Sequence, residues 1–409
     1  MRTKILIYST AIALFTTLAA NAQSTRYAVT DLGTLQGGTF SQPLYLTDNG
    51  LVVGSAALPD GSQNAILWFN GHMADVGAPG LGGPNSIAFG TNKWAQIVGE
   101  AETSKADPNG EDFCGFRTHL TCLPFQWQSG KMTHLPTLGG HNGYANEING
   151  SGQAVGYAEN NTKDSACPAP QALEFKPVTW QNGQAHQLPT FPGDPEGIAL
   201  GINDNGQAVG ASGDCAAFNP NTLVDLQPVH ALLWEEGKMI NLGNLGGSAA
   251  NNMAFAINNE GLAVGSSDLA GDTTFHAFLW SQSTGMQDLG TLPGDFASSA
   301  NGLNDRGEVV GVSLDSSFNP RAFLWRSGTM TDLNTLIPAG SPLYLLTGCS
   351  INHSRVIIGL AIDTSTGQPH AYMATPGGAA DGVESNPPRV VVSDAARRLV
   401  QRQMRFKRP

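Results

Sequence analysis

One short pattern recurs seven times and constrains this chain more than any other feature: an Asn/Asp-Gly turn, a β-branched pair, then glycine. Leu46-Thr47-Asp48-Asn49-Gly50-Leu51-Val52-Val53-Gly54 is the first copy, and Ile97-Val98-Gly99 ends a degenerate second. Further copies end at Gly156, Gly210, Gly265, Gly311 and Gly359, giving spacings of 45, 57, 54, 55, 46 and 48 residues. A recurrence of this period confines the fold to arrays whose units bury their apolar faces against one another.

Two more signatures share the period. Ala65-Ile66-Leu67-Trp68, Ala277-Phe278-Leu279-Trp280 and their equivalents hold six of the seven Trp residues, and segments such as Asp288-Leu289-Gly290-Thr291-Leu292 follow a short turn later. The segments are five to eight residues long, β-branched or aromatic, and bounded by turn residues, so they read as strands rather than helices. Turns such as Asn203-Asp204-Asn205-Gly206 supply residues that accept positive φ. Four strands per unit, seven times over, predict an all-β, seven-bladed β-propeller. The chain enters with an unpaired third signature, Tyr27 to Leu35, and finishes with a Trp-type strand, Ala371 to Ala374. Pairing those N- and C-terminal strands closes the ring and removes open sheet edges; an open solenoid is the alternative.

The Ala-Phe-Leu-Trp strand, preceded by His276 in one copy, and the Asp-Leu-Gly-Thr-Leu strand resemble the HAF-family extracellular repeat proteins of bacteria over nearly all of residues 27–374. The likeness is strongest from Met239 to Trp325 and weakest at Trp94 and Gln96 and at Met373 and Ala374. That family has no established activity, so the resemblance implies secretion and a β-repeat fold and carries over no site.

Residues 1–22 carry Arg2 and Lys4, an apolar stretch from Ile5 to Leu18, and Ala20-Asn21-Ala22, the layout of a cleaved secretory signal peptide. No later stretch has the roughly 18 apolar residues of a membrane-spanning helix. The remaining chain holds 19 basic and 33 acidic residues, which excludes the basic surface that nucleic acid requires. Residues 23–376 form the propeller. Residues 377–409, with seven basic and three acidic groups, read as a flexible basic tail, whose stretch from Ala395 to Phe406 could instead form a short amphipathic helix in weak contact with an anionic envelope surface.

The units diverge in one link. From repeat glycine to Trp is 14 residues in the first unit, then 28, 24 and 24, then 15 and 14. Four of the five cysteines, Cys114, Cys122, Cys167 and Cys215, lie in those three insertions. In a secreted protein they are disulfide candidates with three connectivities open; Cys349 reads as a buried free thiol. A zinc site has little support, because no C-x-x-C occurs and His119 stands alone between Cys114 and Cys122.

No nucleophile elbow, H-E-x-x-H, P-loop or dinucleotide fingerprint is present, and no cofactor is implied. Asp31, Asp288 and Asp332 recur with the repeat, as do His230, His276 and His370, which marks them as framework. Asp194 and Asp295, in equivalent Pro-Gly-Asp links, are candidate channel-face acids. Trp94 breaks the period, as a stacking surface or as a substitute for a turn glycine. The chain is therefore expected to be a secreted, non-enzymatic propeller whose loop face binds a protein or glycan. The alternative is an extracellular propeller enzyme, a glycan hydrolase or lyase, with its site at the central channel; a purely structural envelope role is a third reading.

Overall fold

The computed structural model describes residues 25–35, 37–215, 226–248, 251–377 and 390–404; the expected signal peptide lies outside them. Seven antiparallel sheets form a ring, six of them ordered along the sequence from the channel outwards. Blade 1 is typical, with strands Ser41–Leu46, Val52–Ala57, Gln63–Phe69 and His72–Asp75. In blade 7 the innermost strand is broken into Leu343–Leu345 and Ser350–Ile351, both paired with Ile357–Asp363. The N-terminal strand Tyr27–Asp31 is the outermost strand of that blade and pairs with Pro369–Pro376 from Tyr27↔Pro376 to Asp31↔Tyr372. This closes the ring as the split unit predicts.

The repeat glycine has a steric cause. Each complete innermost strand carries a bulge, and the register between the first and second strands slips there, as at Ala199/Gly201 opposite Gly210/Val209. The slip brings a first-strand carbonyl against the second strand. A Cβ on Gly210 would lie 2.0 Å from the Ile198 oxygen, and one on Gly265 would lie 1.9 Å from that of Met253. Only glycine fits opposite such a bulge.

The Asn of each tight turn links blades. Asn203 Oδ1 accepts from the backbone of Asn205 and Gln207 at 3.1 and 3.0 Å, while its Nδ2 donates to the Asn258 carbonyl of the next blade at 2.8 Å. The same donation runs from Asn92 to Asn149, Asn149 to Asn203, Asn258 to Asn304, Asn304 to Asn352 and Asn352 to Thr47. Asn49 donates to the Lys93 carbonyl and completes the circuit. Buried amides that satisfy donor and acceptor together fix one register.

A second inter-blade rule concerns the Trp strand. Its leading Ala donates its N–H to a Ser hydroxyl on the next blade: Ala65 to Ser86 (3.0 Å), Ala277 to Ser298 (2.8 Å) and Ala371 to Ser41 (3.2 Å). Where the strand has Pro124 or Pro177, which lack that donor, the facing residue is Gly143 or Gly197, packed on the proline ring.

Candidate functional site

The bulge that forces the repeat glycine also pushes one residue of each blade into the channel. These residues are Leu44, Phe89, Asn146, Leu200, Phe255 and Asn301, with Cys349 at the equivalent place in blade 7. All seven line both of two cavities, one of about 740 Å³ towards the loop face and one of about 350 Å³ towards the tight-turn face, so they are the waist of the channel. Each stands ten residues before its repeat glycine. That fixed offset is a sequence signal for the channel lining that strand periodicity alone does not use.

On the tight-turn side the waist is polar. Asp48, Asp204 and Asp305 lie around the smaller cavity, each accepting a backbone N–H from the preceding blade. Inside it, burial pushes the Glu147 carboxyl up to about 8, although it accepts from the Ile202 N–H at 3.0 Å and from the Tyr45 phenol.

The loop-face mouth is assembled from the parts that break the repeat. One wall is the loop Cys114–Arg117, tied by a disulfide to Cys122 (Cα–Cα 5.9 Å). Just before it Phe113 packs on Tyr157 with ring centroids 5.5 Å apart. Tyr157 stacks on Tyr144 at 5.0 Å and Tyr144 meets Phe89 at 4.1 Å, so an aromatic row runs from the loop to the channel waist. A second wall is the helix α1, Asp394–Met404. The flexible-tail expectation for residues 377–409 is corrected here for residues 390–404. Val392, Ala396 and Val400 are buried against Phe275, Leu314, Tyr344, Leu346 and Ile362, Ser393 Oγ accepts from the Ala396 N–H, and Arg397 binds Asn319 at 2.9 Å. The described part of the stretch from Ala395 thus packs on the propeller through Ala396, Leu399 and Val400.

The charged groups lining this cavity, among the described residues, are Arg117 and Arg398. Neither guanidinium has an ion-pair partner among the described residues, whereas Arg321, Arg355 and Arg397 each bind an acid. Arg117 sits at φ +65°, an uncommon conformation for a side chain of this size. Its N–H is held by both oxygens of Asp112, at 2.8 and 3.0 Å.

Blades 2, 3 and 5 each bury a carboxyl that accepts an Asn amide at the start of the innermost strand. Asn85 donates to Glu102 at 2.7 Å, Asn142 to Glu159 at 3.1 Å and Asn251 to Asp268 at 2.8 Å. The Asn142 amide is also shared by Asp107 and Glu111. Burial, reinforced by Glu111, pushes Glu159 up to about 8. In blade 4 the position of Asn142 is taken by Glu196 and that of Glu159 by Gly213. Glu196 still accepts the Phe175 N–H, at 2.6 Å, but its other oxygen is buried without a partner, and burial drives the carboxyl to about 9. A protonated carboxyl there stands in for the amide.

The remaining predicted residues fall as follows. Cys167 is bonded to Cys215 (Cα–Cα 5.0 Å), joining blades 3 and 4, and Cys349 is buried and in no disulfide. The groups Glu100/Cys114/Cys122 and Asp164/Cys167/Glu196 have their sulfurs committed to disulfides. The channel-face expectation for Asp194 and Asp295 is corrected: both turn away from the channel, onto the second and third strands. Asp194 binds Ser212 and His230 (2.8 Å), and Asp295 binds Ser313 and Arg321 (2.8 Å). His276 and His370 pair likewise with Asp288 (3.0 Å) and Asp31 (2.7 Å). Asp31, Asp288 and Asp332 each cap a backbone N–H two residues on. Ala95, at φ +55°, holds the turn-glycine position, leaving Trp94 62% exposed with its indole N–H on the Gly150 carbonyl.

No family model and no curated protein matches this sequence. Solved structures match its shape. An oligogalacturonate lyase in complex with manganese aligns with a TM-score of 0.51 and 13% identity, over 87% of this chain and 94% of that one. The β-propeller domain of the Trilobed protease from Pyrococcus furiosus aligns at 0.37 and 10% identity, over 72% and 96%. AofleA from Arthrobotrys oligospora aligns at 0.32 and 11%, over 75% and 89%. The first of these is a likeness of fold.

Proposed function

We propose that this chain is a secreted, non-enzymatic β-propeller of HAF type that binds a glycan in the loop-face mouth of its channel. One observation carries the reading: the three features that break the sevenfold repeat there, the Cys114–Cys122 loop, the helix α1 and the bulge ring with its unlike side chains, converge on one cavity. A volume of about 740 Å³ falls among small-molecule sites of roughly 300–1,000 Å³. Phe40, Phe116 and Phe255 offer apolar faces, and Gln42, Gln63 and Gln368 offer amides, a combination suited to the CH faces and hydroxyls of sugars. An enzyme would gather non-repeating acids or imidazoles at this mouth. The described lining carries neither a carboxylate nor an imidazole.

The test is a glycan array probed with residues 23–409 and with a version whose insertions between Gly99 and Trp234 are shortened. The proposal expects binding by the first and loss with the second. Binding that survives the shortening, or turnover of a bound glycan, contradicts it.

A further inference from the structure

Resting on that reading, we infer that the ligand is an acidic glycan whose carboxylates are taken by Arg117 and Arg398, one guanidinium from the stapled loop and one from the C-terminal helix. The chain is strongly acidic, with 21 basic against 33 acidic residues, and Arg321, Arg355 and Arg397 each bind an acid. Two guanidiniums without ion-pair partners among the described residues, on one cavity whose described lining has no acid, reverse that balance locally. Both residues are exposed at the mouth, and cations so placed, beside a described lining without acids, are complementary to an anion from outside.

Both arginines are placed by structure. Arg117 is fixed by positive φ and by the grip of Asp112 on its N–H, eight residues of chain being closed by the disulfide. The helix that carries Arg398 is held by its neighbours, Ala396 and Val400 in the core and Arg397 on Asn319 and Asp394. A planar guanidinium matches a carboxylate with two parallel N–H donors, and Phe116 beside Arg117 gives the sugar ring an apolar face. The geometry fits a uronate-containing chain lying across the mouth, with acidic groups towards each wall.

The experiment is calorimetric titration of residues 23–409 with a mannuronate trimer, a mannose trimer and a poly-glutamate peptide, at low and high salt, for the unaltered protein and for Arg117→Ala, Arg398→Ala and Arg117→Lys. The expected result is mannuronate binding at least tenfold tighter than mannose, weakened by salt, and about tenfold weaker in each Ala variant. Arg117→Lys should recover only part of that loss, since it keeps charge and loses the fork. Unchanged unfolding midpoints would show that the variants are folded. Equal binding of the two trimers, or Ala variants that bind as well as the parent, overturns the inference while leaving a loop-face glycan site standing. Tighter binding of poly-glutamate than of mannuronate overturns it in favour of a protein ligand. Binding of neither sugar overturns it together with the proposal on which it rests.

Discussion

Asn203 passes its side-chain amide to the backbone carbonyl of Asn258, the same position one blade on, at 2.8 Å. The turn residue that lets each blade reverse direction is therefore also the residue that ties it to its neighbour.

Removing that amide has a local cost and an inter-blade cost. Asn203→Ala leaves the Asn205 and Gln207 N–H groups without their acceptor and takes from the buried Asn258 carbonyl one of its two donors, the Gly261 N–H remaining. A loss of about 2–4 kcal/mol is expected from urea unfolding. Asn205→Ala, on the same turn but exposed and making a single donation to Asn259, should cost under ~1 kcal/mol.

The Ser/Ala and Gly/Pro pairings between blades predict opposite requirements at one structural position. Ser86→Ala orphans the Ala65 N–H and should cost about 1–3 kcal/mol. Gly143→Ser gains no bond, because Pro124 has no N–H, and sets a Cβ 3.0 Å from the proline ring. It should also destabilise, by about 1–3 kcal/mol.

The two disulfides should separate stability from binding. Opening Cys167–Cys215, 48 residues apart, is expected to cost about 4 kcal/mol by loop-closure entropy, against about 2.5 for Cys114–Cys122, eight apart. Paired Ser substitutions followed by thermal unfolding test the order. The smaller loss should nonetheless bring the larger fall in ligand affinity, because that bridge positions Arg117.

Stability should fall as pH rises. Glu147 and Glu159 titrate near 8 and Glu196 near 9 in the folded chain, against 4.5 for an ordinary Glu, chiefly through burial. The folded state therefore holds these protons longer than the unfolded state. Their stabilisation is complete below about 4.5 and is lost as pH climbs through 8 to 9. Urea midpoints at pH 5, 7 and 9 should decline in the unaltered protein and decline less in Glu196→Gln, whose amide keeps a neutral group at that position.

The ring was legible because its evidence is local and repeated: Val-Val-Gly, Ala-Phe-Leu-Trp and a unit split between Tyr27 and Ala374 are enough to count blades and close them. Strand periodicity does not say which strand is innermost. Asp194 and Asp295 consequently looked like channel acids when their partners are His230 and Arg321, while Leu44, Phe89 and Asn146, which do line the channel, passed as ordinary strand residues. The docking of α1 was hidden for another reason. Among the described side chains its buried stripe is Val392, Ala396 and Val400, interrupted by arginines, and what makes it bury is a surface formed by blades far away in sequence.

The most direct measurement of the central claim is a crystal structure of residues 23–409 with the mannuronate trimer bound. The account predicts density at the loop-face mouth, with carboxylates within hydrogen-bond distance of Arg117 and Arg398 and α1 in place. Density on the tight-turn face, beside Asp204 or against Trp94, would contradict it.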